Sequence, residues 1–117
     1  MQLTNQKYQQ KIDSSARQIA EKVKNIVIRY DINAVVILFG SRARGDAAEE
    51  SDWDFLVLTN KQDIEKLAAT LRREIRLEVE SQFNIAISLM VKNRRVWEED
   101  YAVTNIYESI AEEGIVL

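Results

Sequence analysis

Apolar and polar positions along the chain switch between a helical and an alternating period. From Ser14, apolar residues recur at helical spacing, with Ile19, Val23, Ile26, Val27 and Tyr30 on one face. Ser14 or Ser15 is placed to cap that helix. Residues 1–13 are polar and rich in glutamine, and read equally as a helical extension or a frayed terminus. Asp31-Ile32-Asn33 turns the chain into an apolar run, Ala34–Phe39, that stops abruptly at Gly40-Ser41. Short apolar runs bounded by glycine and polar turn residues predict strands. The polar loop Gly40–Ser51 has room for a short helical turn after Ser41, and a second strand is expected at Asp52–Thr59. Its lower half is apolar on both faces, as in a central buried strand.

Asn60–Asp63 reads as a turn, and a long helix is expected from Ile64 to Glu80, burying Ile64, Leu67, Ala68, Leu71 and Ile75. A third strand is expected at Ile85–Val91, then two short helices at Val96–Ala102 and Ile106–Glu113. Asn105 with Glu108 makes a capping-box-like start, and Gly114 is placed to end the last helix. This order predicts an α/β (α+β) class: a small mixed β-sheet covered by helices, with residues 1–117 forming one domain.

Composition narrows the chemistry. With 46% hydrophobic and 30% charged residues the chain is an ordinary globular sequence. It has no cysteine and no histidine, which removes thiolate nucleophiles, imidazole bases and the commonest transition-metal ligands. Any reaction must use carboxylates, hydroxyls, lysine, arginine or a bound cation. A net charge of -3 argues against gripping nucleic acid through a general basic surface. No apolar run approaches the roughly 20 residues needed to span a bilayer, and the amino terminus lacks a signal-peptide pattern, so a cytoplasmic location is expected.

The chemistry concentrates between the first two strands. Asp52 and Asp54 lie two apart at the head of a strand, so their side chains project from one face. Two close carboxylates repel, and a hard divalent cation with oxygen ligands relieves that repulsion. The structural alternative is a pair of solvated strand-edge aspartates, although aspartate is depleted in strands. Beside them Gly40-Ser41 forms a corner whose backbone N–H groups could hold phosphate oxygens, or simply a tight turn leaving a strand. Arg42 and Arg44 are candidates to pair with phosphates, and equally ordinary as solvated loop arginines. Trp53 and Phe55 face away and should pack in the core, whereas Ser51 either orients Asp52 or ends the loop. Lys92-Asn93-Arg94-Arg95 reads best as a solvated turn.

Gly40-Ser41, ten intervening residues and then Asp52-Trp53-Asp54 resembles the signature of the DNA polymerase β-like nucleotidyltransferase superfamily. Gly40-Ser41-Arg42-Ala43-Arg44-Gly45-Asp46 with Ser51-Asp52-x-Asp54 is similar to the minimal nucleotidyltransferases, and residues Asn105–Leu117 look like that family's usual ending. The resemblance implies a nucleotidyltransferase fold, a nucleoside triphosphate held at Gly40, Ser41, Arg42 and Arg44, and Mg2+ on Asp52 and Asp54 as catalytic ligands. It further implies transfer of AMP from ATP to a protein hydroxyl, the acceptor being a HEPN-type toxin that this chain would neutralise as antitoxin. A separate protein acceptor, or a homo-oligomer, fits so short a chain, which has no second domain to form a full acceptor pocket. The alternatives are an antitoxin that only binds its partner and a transferase acting on a small molecule.

One departure from that family stands out. Active polymerase-β-like transferases usually carry a third carboxylate on the strand after the long helix, and here no Asp or Glu lies between Glu80 and Glu98. With Ile85, Ile87, Leu89 and Val91 turned towards helices, the opposite face offers Ser88 or Ala86 at that place.

Overall fold

The computed structural model describes residues 14–117, so the expectation for residues 1–13 lies outside the described residues. Helix α1 (Ser14–Tyr30) leads into β1 (Val35–Phe39), the short α2 (Ser41–Arg44) and β2 (Trp53–Thr59). Helix α3 (Ile64–Ile75) continues through a π-helical stretch, Arg76–Glu80, and the turn α4 (Ser81–Phe83). Strand β3 (Ile87–Asn93), α5 (Arg94–Glu99), α6 (Asn105–Glu113) and β4 (Ile115–Val116) complete the order. The sheet runs β3-β2-β1-β4. Strand β1 is antiparallel to both β2 and β4, whereas β2 and β3 are parallel. A parallel pair requires a crossover, and the α3–α4 run supplies it. The expected mixed sheet covered by helices is the fold observed.

Strand alternation divides the interior into two layers. Val36, Leu38, Trp53, Phe55 and Val57 point to one face, where the apolar stripes of α1 and α3 cover them. These stripes are the expected ones: Ile19, Val23, Ile26 and Val27 from α1, and Leu67, Ala68, Leu71 and Ile75 from α3. Among the described residues the other face is thinner. Ile37, Leu56 and Leu58 are covered there by Trp97 of α5 and Ile110 of α6. Trp97 is enclosed by Tyr101 and Tyr107, at ring-centroid distances of 5.4 and 5.3 Å. At one end of the sheet, buried Asp31 accepts a hydrogen bond from the Thr59 hydroxyl and, through its other oxygen, from the Asn33 N–H. That contact fixes the turn into β1.

The boundaries that differ have local causes. Ser14 and Ser15 both lie inside α1, so neither caps it. Strands β1 and β2 each begin one residue later than expected. The helical run goes on to Phe83 and ends at Asn84, whose φ of 54° is the left-handed conformation that asparagine tolerates. Leaving that turn uses Ile85 and Ala86, so β3 begins at Ile87 instead of Ile85. It extends past Val91 because Lys92 and Asn93 still pair with Leu58 and Thr59. The Asn93 side chain then accepts from the N–H groups of Arg95 and Val96, which starts α5 two residues before the expected Val96. The part of the basic cluster expected to be a solvated turn is thus partly a helix cap. Lys92 donates to the Tyr101 hydroxyl and Arg94 to the Asn33 carbonyl. Thr104, not Asn105, caps α6, its hydroxyl accepting from Tyr107 N–H. Among the described residues no helix is long and apolar enough to cross a membrane.

Candidate active site

The antiparallel register places Phe39 opposite Asp54, so the first residue beyond β1, Gly40, stands against that carboxylate. Gly40 has φ 75° and ψ -161°, a region open essentially to glycine. A Cβ there would overlap Asp54 Oδ2 and lie 3.3 Å from its Cγ. The glycine is required twice over, by its backbone angles and by its neighbour. Ser41 then opens the expected helical turn, α2, which Gly45 ends in a left-handed conformation at φ 84°. The Ser41 hydroxyl makes no hydrogen bond among the described residues.

Asp54 shares its sheet face with Leu56 and Leu58, at the end where the thin covering layer stops. It is half-buried, while Asp52, just outside β2, is exposed. Burial lifts the Asp54 carboxyl above its ordinary value, and the charges of Asp52 and Glu113 push it the same way. Arg44 pulls it back down. Negative charge at Asp54 is therefore incompletely compensated by the protein itself. On the other side, β3 sets Ser88 in register with Asp54. Of the two expected candidates for the missing carboxylate's place, Ser88 is the one beside Asp54, and it is exposed.

The two arginines make different contacts. Arg42 folds back on its own loop, donating to the carbonyls of Glu49 and Ser51 at 2.9–3.3 Å. Its guanidinium lies 4.7 Å from the centroid of the buried Trp53 ring. Ser51 also holds the loop, its hydroxyl accepting from Ala48 N–H at 3.0 Å. Arg44 reaches Asp46 at 3.1 Å and Glu113 at 2.8 Å. Phe55 and Trp53 are buried on the opposite face, as expected.

Glu113 is the residue that sequence reasoning missed. It closes α6, and its carboxylate accepts from the Gly40 N–H at 3.1 Å and from Arg44 Nη1 at 2.8 Å. The available signal was the short apolar run Ile115-Val116-Leu117 after Gly114, which pairs as β4 with Ile37 and Leu38 and returns the chain to the corner.

The donor set suits a hard cation. Asp52 and Asp54 offer carboxylate oxygens, and the raised affinity of Asp54 for a proton signals a place where added positive charge is stabilising. Among the described residues no three acidic, histidine or cysteine side chains are grouped to enclose a metal ion. A cation on this pair would complete its shell with water and ligand oxygens, which magnesium commonly does.

A family model described as "Polymerase beta, Nucleotidyltransferase" matches residues 21–116. The chain belongs to this nucleotidyltransferase family. The matched span runs from α1 to β4, so it takes in all four strands of the sheet, the glycine-serine corner and Glu113. A comparison with curated proteins found no match. In this nucleotidyltransferase-family domain the glycine corner and Asp54 thus meet across neighbouring strands, and a carboxylate from α6 is bonded to the corner.

Proposed function

We propose that this nucleotidyltransferase domain takes AMP from ATP and transfers it to a hydroxyl group of a partner protein. The observation that carries the reading is the contact between Gly40 and Asp54, which sets a backbone corner directly against an undercompensated carboxylate. In this reading Asp52 and Asp54 hold Mg2+, and the Gly40-Ser41 corner holds the triphosphate through Ser41, because the Gly40 N–H is already donated to Glu113. When bound, the cation neutralises phosphate charge as it develops during transfer. Ser41 supplies a hydrogen bond to a phosphate oxygen, and Gly40 permits close backbone approach because it lacks a side chain. Arg42 keeps the loop folded through Glu49 and Ser51, so that Asp52 is presented at the head of β2. An acceptor hydroxyl oxygen forms a bond to the α-phosphorus, the bond to the α–β bridging oxygen breaks, pyrophosphate leaves, and the hydroxyl proton passes to water.

By the resemblance noted above, the acceptor is a HEPN-type toxin and the outcome its neutralisation. A second reading, binding of such a partner without transfer, is favoured by Ser88 standing beside Asp54 where a third carboxylate would be expected. Incubation of the protein with ATP labelled in the α-phosphate and the product of its neighbouring gene separates the two. Label on the partner supports transfer; a tight complex without label supports binding alone. Absence of both rejects the proposal.

A further inference from the structure

Glycine provides the corner with the backbone angles it needs, but it also leaves that peptide with the greatest freedom to move. Something else must restrict it. The Gly40 N–H donates to Glu113, 73 residues further on, and the same carboxylate takes Arg44 of α2 on its other oxygen. The Glu113 side chain is only 14% exposed. Its own position is fixed from both sides. Ile110, one turn earlier in α6, is fully buried in the thin layer with Ile37 of β1. Ile115, two residues later, pairs with Leu38 of β1. Between them Gly114 makes a turn too tight for a side chain: a Cβ would lie 2.5 Å from the Ile110 carbonyl and 2.8 Å from Ile37 Cγ2. The end of α6, Gly114 and β4 therefore form a clasp seated on the strand that ends in the corner.

We propose that Glu113 is a positioning residue, holding the Gly40 peptide and the Arg44 side chain in one arrangement through this clasp. The proposal rests on the nucleotide-binding reading above for its consequence, although not for its geometry. Glu113 does not touch phosphate in this account. It restricts the backbone that does, and removing it leaves the corner free to rotate before each binding event.

The test uses the full chain and two variants, Glu113→Ala and Glu113→Gln. Glutamine keeps a carbonyl oxygen able to accept from Gly40 N–H, and alanine keeps nothing. Amide hydrogen exchange at Gly40 should accelerate about tenfold or more in Glu113→Ala, the scale of a lost hydrogen bond to a charged group. In Glu113→Gln most of the protection should remain, and the amides of Ile37 and Leu38 should be unchanged in both. Calorimetry with magnesium-ATP should show affinity about tenfold weaker in Glu113→Ala, with the glutamine variant between it and the original. Unchanged Gly40 exchange in Glu113→Ala overturns the proposal. So does accelerated exchange along the whole of β1, which would make Glu113 a general stabiliser. Tighter magnesium-ATP binding would overturn it too, because the carboxylate would then be competing with phosphate. If the original protein binds no magnesium-ATP while Gly40 responds as expected, the nucleotide reading fails and the positioning of the corner stands.

Discussion

The two faces of β2 have been put to opposite uses. Trp53, Phe55 and Val57 enter a thick layer under α1 and α3, where a long amphipathic stripe from each helix excludes water. Asp54, Leu56 and Leu58 enter a thinner layer, closed among the described residues by Trp97 and Ile110 with Tyr101, Tyr107 and Met90 packed against them. The thin layer ends before Asp54, so the carboxylate is half-buried: dry enough to be perturbed, open enough to meet a ligand. The lesson is that full burial and partial exposure are separated by one peptide unit, because adjacent strand residues point to opposite faces. Thick cover supports the strand, and thin cover leaves the site.

The strongest way to break that contrast is Phe55→Ala. The ring is fully buried in the thick layer, and its loss should cost about 3–5 kcal/mol, enough to consume much of a small domain's stability. Denaturant titration would show it, and a loss below about 1 kcal/mol would mean the thick layer is not the source of stability that its burial suggests.

Gly40→Ala comes next. The backbone angles alone should cost about 1–3 kcal/mol. The new methyl group must also displace the Asp54 carboxylate, so magnesium-ATP binding should be lost even in the fraction that folds. Binding by the folded variant at the original affinity would show that Gly40 and Asp54 do not act together.

Asp54→Asn should have the opposite sign on stability. The folded-state pKa of Asp54 lies above its unfolded value, so the folded state holds the proton more tightly. Stability from this group falls as pH rises from the unfolded carboxylate range through the raised folded pKa, and the loss is complete above it. At neutral pH without divalent cations the asparagine variant should therefore melt at a higher temperature than the original. Below the unfolded carboxylate range Asp54 is protonated in both states, and the difference should disappear. Magnesium should raise the melting temperature of the original protein and leave the variant unmoved. A variant that melts lower at neutral pH would show that Asp54 is satisfied within the protein.

Ser41→Ala should have the smallest effect on the fold, because its hydroxyl has no partner among the described residues. Its effect should appear in magnesium-ATP affinity instead, as a loss of about 1.5–3 kcal/mol for a hydrogen bond to a charged group. An unchanged affinity with a shifted melting temperature would reduce Ser41 to the residue that opens α2.

What the sequence determined by itself was whatever depends on near neighbours. The stripes of α1 and α3 follow from helical spacing, and the opposite fates of Phe55 and Asp54 follow from strand alternation. The helical turn after Ser41 and the stop at Gly114 follow from the same local logic. Boundaries slipped where a side chain competed with the pattern, as when Asn93 capped α5 and Thr104 capped α6. Tertiary structure alone decided the register that sets Ser88, not Ala86, beside Asp54. It alone decided that Arg42 lies over Trp53 and that Arg44 pairs with a residue 69 positions away. It also brought Glu113 to the corner, by pairing two residues of β4 with β1. Spacing along a chain cannot encode such contacts, because they depend on where separately formed elements come to rest against one another.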